Sequence, residues 1–389
     1  MTELGGRSAL TDRLTNTHPA LRKCWHPVAR SGEVGTEPFR VELLGQPWVL
    51  FRNAGGLVAF VDRCPHRRAP LSLGTREGEL LRCAYHGWCF DGEGRCVEIP
   101  ALGPGSAVPP AARLESPFGV AERLGMIFLA PEEPLVGLPE VGEEGVAGFV
   151  RLELAPTRSR VSAGLMADNF LDFAHFPFVH KGTFGADEAA EIHPFEVRRE
   201  GAGLVLEYEH PFANREDPAV AAGTRPLVQT RRMTYRFLVP FFLSLKIEYL
   251  EAGGVNTIGF FLQPESDESC RIYTTLWRDD VGNGVTDIEA ALSFEQQVLD
   301  EDLVVQSRYD ELYLPLDVRA EVHTRADRHT VELRRILAEF VAEATFVGRP
   351  GDGDQPGDGD ATSAGDATSA GDQPGDGDAT SGGWRGRPG

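Results

Sequence analysis

Cysteine is scarce in this sequence, and long apolar runs are absent. The 389 residues include six cysteines, and no stretch approaches the roughly 18 apolar residues that a membrane-spanning helix needs. The N-terminal segment MTELGGRSALTDRL has neither the basic start nor the apolar stretch of a secretory signal. These absences predict a cytoplasmic protein with no membrane partner, in which clustered cysteines indicate metal binding or catalysis rather than disulfides.

Positive charge is also in short supply. The chain has 38 Lys and Arg against 59 Asp and Glu, a formal net charge of −21. Proteins that bind nucleic acids need concentrated Lys and Arg to neutralise phosphates. The composition therefore argues against a nucleic-acid partner, while the length is sufficient for two domains with a sizeable core.

Two kinds of pattern follow each other along the chain. Residues 38–100 alternate β-forming residues with glycine breaks, as in FRVELLGQPWVLFRNAGGLVAFVD, which predicts short strands joined by turns. Beyond the Pro-rich segment 131–141, the helical pattern SAGLMADNFLDFAHF precedes long β-type runs, and helical segments follow at about 287–309 and 330–344. This order predicts an α+β fold, in which a long antiparallel sheet can wrap a helix and leave an apolar cavity.

The last part of the chain is of low complexity. GDQPGDGDATS occurs twice with an 18-residue period, and its Gly, Asp, Ala, Ser and Thr cannot bury enough apolar surface to offset chain ordering. We therefore predict an acidic, disordered tail at residues 350–389. A calcium-binding repeat is the alternative, which the lack of interleaved apolar positions disfavours.

Four of the scarce cysteines and histidines stand close together, as Cys64-x-His66 and Cys83-x-x-His86. Structural zinc is one interpretation, but zinc modules usually pair like ligands on each loop. Here each loop carries one Cys and one His, so both thiolates can bind one iron of a [2Fe–2S] cluster and both imidazoles the other. That is Rieske ligation, which the spacing favours.

A second group of candidate ligands occupies the segment DNFLDFAHFPFVH. Asp172 and His175 are three residues apart, so we expect them on one helix face. Pro177 ends or kinks that helix and lets His180 return toward the same point. Two histidines with one carboxylate make the facial triad of non-haem Fe(II) oxygenases. The alternative is two ordinary core histidines among aromatic residues.

The segments RCPHRRAPLSLG and CAYHGWCFDGEGRCVEIP resemble the Rieske domain of Rieske non-haem iron oxygenase alpha subunits, most closely the group with vanillate and dicamba demethylases. KCWHPVARSGEV resembles the opening of that group, and the likeness covers about residues 20–345. It implies an all-β Rieske [2Fe–2S] domain at residues 21–141 and a catalytic helix-grip (START-like) domain at 142–349. A flexible N-terminus at 1–20 and the tail at 350–389 flank these two domains.

The resemblance also implies where the carboxylate ligand lies. It falls on the late helix FEQQVLDEDLVVQ, where Asp300, Glu301 and Asp302 compete. Only one of them can face the iron, because helical neighbours diverge by about 100°. The family's acidic pair before an apolar helical run favours Asp302, and a surface-charge role is the alternative for the other two.

Two further residues receive roles through the resemblance. It implies that Asp172 bridges the mononuclear iron site of one subunit to a cluster histidine of its neighbour, which requires a head-to-tail ring, usually a homotrimer. The alternative for Asp172 is an acid that only orients His175. Asn169 is implied to lie near the iron without binding it.

The implied activity is that of an oxygenase. It would use O2, with electrons from NAD(P)H through a ferredoxin or flavin reductase, to hydroxylate, demethylate or oxidatively cyclise an apolar or aromatic small molecule. Alternating side chains of TYRFLVPFFLSLKIEYL and VNTIGFFLQP are expected to line its pocket. Arg63, Arg67, Arg68 and Arg82 either attract an acidic ferredoxin or are solvated loop charges. The alternatives are a Rieske electron-transfer protein whose second domain only binds a ligand, and a zinc-stabilised binding module.

Overall fold

Short antiparallel strands dominate the first part of the computed structural model, which describes residues 12–281 and 287–347. In chain order these strands are β1 (Arg13–Leu14), β2 (His26–Arg30), β3 (Phe39–Leu43), β4 (Gln46–Asn53), β5 (Gly56–Val61), β6 (Thr75–Glu77), β7 (Leu80–Arg82), β8 (Cys89–Phe90), β9 (Cys96–Glu98), β10 (Gly119–Arg123) and β11 (Met126–Ala130). Strands β3, β4 and β5 form one sheet, β6 to β9 a second, and β10, β11 and β2 a third. The strands predicted within residues 38–61 are confirmed.

Two Leu–Gly turns close hairpins in these sheets. Leu44 and Gly45 join β3 to β4, with φ of 54° and 74°, and Leu124 and Gly125 join β10 to β11, with φ of 55° and 73°. Positive φ at both central residues defines the type I′ turn, whose twist matches that of the flanking strands. Each turn therefore sets the register of its hairpin.

The second part of the chain is a large sheet with helices. Its strands are β12 (Val150–Glu153), β13 (Thr157–Ser159), β14 (Val197–Glu200), β15 (Gly203–Ala213), β16 (Val228–Leu238), β17 (Phe242–Tyr249), β18 (Val255–Ser266), β19 (Ser269–Arg278) and β20 (Leu314–Pro315). Its helices are α1 (Ala163–Leu171), α2 (Phe176–Val179), α3 (Pro218–Ala221), α4 (Ile288–Gln306) and α5 (Arg328–Val347). The α+β fold class is confirmed.

The large sheet is antiparallel throughout its central part. Its strand order is β12-β19-β18-β17-β16-β15-β14, and β13 pairs with β19. Side chains alternate along β16, where Met233, Tyr235 and Phe237 are buried and Arg232 and Arg236 are exposed. The buried face packs with α1 and α5 in one hydrophobic core, so the sheet wraps helices as its sequence pattern predicts.

The small sheets and the large sheet contact each other directly. Arg30, at the end of β2, is buried and donates hydrogen bonds to Thr275 Oγ1 at 2.6 Å and to the Thr274 carbonyl at 2.7 Å. The backbone N–H of Leu44 donates to the Pro264 carbonyl at 2.8 Å. These contacts fix the first part of the chain against β18 and β19, while the boundary near residue 141 stays a prediction.

The N-terminal segment differs from the flexible one expected at residues 1–20. Leu14 is buried and pairs with Leu314 across β1 and β20, and Asn16 Oδ1 accepts a hydrogen bond from Ala163 N–H at 2.8 Å. These contacts hold the chain from residue 13 onward, and residues 1–11 lie outside the described residues. The tail predicted at 350–389 also lies outside them. Within the described ranges, no helix combines the length and apolarity needed to cross a lipid bilayer.

His26 makes the stability of this fold depend on pH. Its ring is fully buried, Nε2 donates to the Leu21 carbonyl at 2.7 Å, and burial lowers its pKa to about 4. In the unfolded chain a histidine titrates near 6.5, so between these values the unfolded state binds more protons and stability falls as the pH drops. We expect the stability advantage of the wild type over His26→Gln to shrink by about 2 kcal/mol from pH 7 to pH 5, measured by urea unfolding.

The exposed His193 provides the control for this prediction. A His193→Gln variant should show a constant stability difference from the wild type at the two pH values. A His26→Gln difference that stays constant or widens as the pH falls would contradict the argument.

Candidate metal centres and active-site pocket

Two loops of the same backbone shape carry the Cys/His motifs, one between β5 and β6 and the other between β7 and β8. The Cys64 carbonyl accepts a hydrogen bond from Arg68 N–H at 2.9 Å, and the Cys83 carbonyl accepts one from Gly87 N–H at 3.0 Å. Arg68 and Gly87 both have left-handed φ, 61° and 70°. The matched turns bring one cysteine and one histidine of each loop to a common point.

The four predicted cluster residues come together with sulfur inside and nitrogen outside. Cys64 and Cys83 are each 2% exposed, and the rings of His66 and His86 lie with centroids 4.5 Å apart. Nδ1 of His66 is buried and has no hydrogen-bond partner in the part of the chain that the structure describes. Burial raises the pKa of the Cys64 thiol to about 11, so a cation is needed to keep its thiolate there. This donor set fits a [2Fe–2S] cluster.

The four arginines near these loops have different surroundings. Arg82 is held by Glu77 and donates to the Gly87 carbonyl at 2.9 Å, so it braces the second loop. Arg63 pairs with Glu115 at 3.2 Å. Arg67 and Arg68 are exposed and have no ion pair within the described ranges. Only these last two keep their charge free beside the cluster loops.

The second group of ligands sits where a helix breaks. The prediction that Asp172 and His175 share a helix face is wrong. Helix α1 ends at Leu171, Asp172 is its C-cap, and His175 precedes the short α2. The break occurs because Asp172 Oδ1 accepts from Ala174 N–H at 2.9 Å and turns the chain. Pro177 does not cause it, since it lies in the first turn of α2, where a missing N–H costs nothing.

Three donor atoms nevertheless converge at this break. Nε2 of His175 and Nε2 of His180 are 3.2 Å apart, and Oδ1 of Asp302, from α4, is 3.3 Å from each of them. Burial by itself raises the pKa of Asp302, but the hydrogen bonds from both imidazole rings lower it to about 2. Two imidazole nitrogens and a carboxylate oxygen within 4.8 Å of one another could hold a metal ion, and this set fits Fe(II).

A second carboxylate stands behind each imidazole. Asp172 Oδ2 lies 3.0 Å from His175 Nδ1, and Glu301 Oε2 lies 2.8 Å from His180 Nδ1. Glu301 also accepts a hydrogen bond from the Thr183 hydroxyl at 2.9 Å. Because a carboxylate accepts the Nδ1 proton of each ring, a metal ion bound between the rings and Asp302 would replace the Nε2 protons and take up both Nε2 lone pairs.

The three acids of α4 therefore have three different surroundings. Asp300 is exposed and accepts from Gln296 at 2.9 Å, while Asp302 joins the two histidines. The alternative role of Glu301, a surface charge, is wrong. Its side chain leaves α4 about 100° away from that of Asp302 and so reaches the opposite side of the His180 ring. Asn169 Nδ2 lies 3.4 Å from Asp302 Oδ1, as its predicted position near the site requires.

The three donors lie in the wall of a largely apolar pocket between α1, α4 and the large sheet. The two segments predicted to line it do so at alternating positions. The side chains that they contribute are Tyr235, Leu245, Ile247, Tyr249, Ile258 and Phe260.

Two buried charged side chains, Arg231 and Glu295, also line the pocket. The sequence reasoning missed both of them. The signal that could have identified Arg231 is its place in the strand alternation, because it lies two residues before Met233 and shares the inward face of β16 with Met233 and Tyr235.

On its other side the triad of His175, His180 and Asp302 borders an open cleft lined by polar and apolar side chains. Asp172, whose side chain is 30% exposed, lines this cleft together with Asp168, His323 and Arg334. The His175 and Asp302 side chains are shared by the cleft and the apolar pocket. A metal ion held here would thus face a dry chamber on one side and a solvent-open acidic group on the other.

Comparison with known proteins agrees with this geometry. Residues 24–116 match the Rieske [2Fe-2S] domain family, and residues 159–343 match the Vanillate O-demethylase oxygenase C-terminal domain family. Methylxanthine N1-demethylase NdmA of Pseudomonas putida is 29% identical over 330 residues, which are 82% of this chain and 89% of that protein. The oxygenase component of dicamba O-demethylase from Stenotrophomonas maltophilia is 32% identical over 178 residues, 43% of this chain and 50% of that protein.

Solved structures give the same result. The structure of Pseudomonas putida CBB5 NdmB aligns with a TM-score of 0.73 at 26% identity, covering 84% of this chain and 93% of that one. A Rieske domain is therefore followed by an oxygenase catalytic domain, which sets the zinc interpretation aside. This chain belongs to the Rieske non-haem iron oxygenases of the vanillate and dicamba demethylase group, as an oxygenase subunit that uses a [2Fe–2S] cluster, Fe(II) and O2.

Proposed function

We propose one set of ligands for each metal group. The cluster is held by Cys64, His66, Cys83 and His86, and the mononuclear Fe(II) by His175, His180 and Asp302. The observation that carries the assignment is the convergence of three donor atoms, 3.2–3.3 Å apart, in the wall of an apolar pocket. A chamber of that kind lets a substrate carbon approach a metal ion while water is kept out.

The bound cluster supplies a one-electron relay, and the bound Fe(II) supplies O2 activation. The chain's own residues do the rest. Asp172 and Glu301 hold the Nδ1 protons of the two histidines and so fix the direction of both Nε2 atoms. Phe176 and Phe184 pack against the His180 ring, with Phe184 stacked at 4.8 Å, and exclude water from that side.

The proposed substrate is an aromatic small molecule. The apolar lining suits such a molecule. The names of relatives point to the same class: a methylxanthine N1-demethylase and the iron-sulfur subunit of a toluene-4-sulfonate monooxygenase system. Which C–H bond the pocket presents to the triad decides between hydroxylation, demethylation and oxidative cyclisation. The comparisons do not favour a Rieske protein whose second domain only binds a ligand.

Asp172 is proposed as the electron bridge between subunits of a homotrimer. Its carboxylate bonds His175 on one side, lines an open cleft on the other, and retains lone pairs for a second imidazole N–H. His86 is exposed at the cluster, so a neighbouring chain's cluster can reach such a cleft. Electrons come from a partner, which we propose to be a ferredoxin or flavin reductase that docks near Arg67 and Arg68. The cytoplasmic location stays a prediction.

Metal content and product formation test the function together. We expect the purified wild type to carry about three irons per chain and to oxidise an aromatic substrate with a reductase, NADH and ¹⁸O2. Hydroxylation or demethylation places labelled oxygen in the substrate or in its released methyl carbon, whereas oxidative cyclisation leaves the label in water and yields a product lighter by two hydrogens. Asp302→Ala should lose about one iron and all turnover yet keep the visible spectrum of the cluster. Asp300→Ala, at an exposed position of the same helix, should behave as the wild type. About two irons in the wild type would favour the electron-transfer alternative, and iron loss in Asp300→Ala would refute the ligand choice.

Glu301 should set iron affinity without binding iron. Glu301→Ala removes the acceptor of His180 Nδ1–H, so we expect mononuclear Fe(II) affinity to fall by about 10- to 100-fold. Glu301→Gln, whose amide oxygen can still accept that proton, should recover part of the loss. Equilibrium dialysis of Fe(II) against the cluster-loaded protein measures both, and Asp300→Ala, on the exposed side of α4, is the control. Equal affinity in Glu301→Ala and the wild type would show that Thr183 and packing alone orient the ring.

Asp172→Asn should separate electron transfer from metal binding. The amide oxygen can replace only one of the two carboxylate oxygens, which accept from Ala174 N–H and from His175 Nδ1–H. The iron content of the variant is therefore measured first, and the comparison uses iron-loaded samples, in which the negative charge between the imidazoles is lost. We expect oxidation of the reduced cluster in a single turnover to slow by at least about 10- to 100-fold, followed by stopped-flow absorbance. Asp168→Asn, in the same cleft but paired with Arg334, is the matched control. Normal cluster oxidation in Asp172→Asn would refute the bridge.

A further inference from the structure

Arg231 brings a permanent positive charge into the apolar pocket. It lies on the inward face of β16 and is 4% exposed. Three aromatic rings surround its guanidinium, whose central carbon is 4.4 Å from the ring centroid of Phe184, 5.0 Å from that of Phe212 and 5.3 Å from that of Phe176. Burying this charge is costly unless it is paired, and burial lowers the pKa of Arg231 for the same reason.

No protein group in the described ranges pairs with this charge. Nε and Nη2 of Arg231 are buried without a hydrogen-bond partner, and Arg231 forms no ion pair with any described residue. The other buried arginines differ. Arg278 pairs with Asp280 at 2.8 Å, Arg334 with Glu321 at 2.6 Å, and Arg30 hydrogen-bonds Thr275 at 2.6 Å. Since aromatic rings cover the sides of the Arg231 guanidinium, the pocket is the direction from which an acceptor can come.

The position of Arg231 relative to the triad suits a substrate of one kind. Phe176 and Phe184 each pack on both the Arg231 guanidinium and the His180 ring, so about one aromatic ring separates the charge from this metal ligand. A substrate group held at Arg231 therefore leaves a body about the size of an aromatic ring to reach the metal ligands. Thr274 Oγ1, buried and without a partner in the described ranges, also lines this pocket and can donate a second hydrogen bond.

Glu295 does not neutralise Arg231. Its Oε1 accepts from Asn256 Nδ2 at 3.0 Å rather than from the guanidinium. Burial, with the nearby Glu216 charge, raises the pKa of Glu295 to about 7, so much of it is uncharged near neutral pH. The uncharged form can donate a hydrogen bond to an oxyanion instead of repelling it.

We propose that Arg231 anchors an oxyanion, a carboxylate or a sulfonate, carried by the aromatic substrate, so that the substrate class is an aromatic acid. The proposal rests on the proposed function and deepens it. The anchored acid turns the opposite edge of its ring toward His175, His180 and Asp302. A neutral aromatic molecule of the same shape leaves the guanidinium unpaired in the complex and binds more weakly.

Binding of matched acids and amides to the iron-loaded protein tests the proposal. The probes are 4-methoxybenzoate, 2-naphthoate and 4-toluenesulfonate, each beside its uncharged carboxamide or sulfonamide, titrated by calorimetry without reductant. We expect at least one acid to bind at least about tenfold more tightly than its amide. Arg231→Met should remove that preference, and Arg231→Lys should keep part of it. Arg232→Met, the same change one residue along β16 on the exposed face, should keep all of it.

Several results would overturn the proposal. One is that no acid of the panel binds the wild type at millimolar concentration, or that the amides bind equally well. Another is that the acid preference survives in Arg231→Met, which would mean that the acid binds the iron and that Arg231 only packs among the rings. Iron content and melting temperature show whether Arg231→Met folds. If it does not, the acid–amide comparison in the wild type and in Arg231→Lys decides.

The binding experiment separates this proposal from the proposed function. If the acids bind through Arg231 but no oxidised product forms with any substrate, the anchor stands and the oxygenase assignment fails. If the enzyme oxidises neutral aromatic molecules and Arg231→Met leaves their affinities unchanged, the oxygenase assignment stands and the anchor is wrong.

Discussion

The carboxylate–imidazole hydrogen bonds on Nδ1 are the interactions on which the rest of the catalytic site depends. Asp172 holds His175 and Glu301 holds His180, so each ring has one tautomer and one direction. Without these bonds the two rings could rotate, and Asp302 would not find both Nε2 atoms at 3.3 Å. Asp172 lines an open cleft, whereas Glu301 lies on α4 against the buried His180, so bonds of the same kind face solvent on one side and the protein interior on the other.

The two sides of the triad differ because the fold places it at the edge of the sheet's apolar interior. The pocket side takes its walls from alternating residues of β16, β17 and β18, whereas the cleft side is lined by acids and Arg334. Buried charges follow the same division. Arg30, Arg278 and Arg334 each make a hydrogen bond or an ion pair within the protein, and Arg231 alone among these four makes none in the described part of the chain.

Much of the fold and part of the site could be predicted from the sequence, because the signals were short in range. Alternation and Leu–Gly turns marked the small sheets, and the spacing of Cys64, His66, Cys83 and His86 indicated two matched loops. The helix ends at Asp172, earlier in the chain than the proline predicts, because the Asp172 side chain makes a turn that cannot be read from residue types. The choice of Asp302 came from resemblance to a family rather than from any local pattern.

The sequence by itself determined which residue types could bind metal and which strands could line a pocket, because local spacing and alternation decide those. Only the tertiary structure decided which acid meets which histidine and which charge stays unpaired. Glu301 and His180 are 121 residues apart in the chain, and the isolation of Arg231 is a property of everything packed around it. Such contacts depend on how helices and the sheet pack against each other, and the sequence of a single segment does not determine that packing.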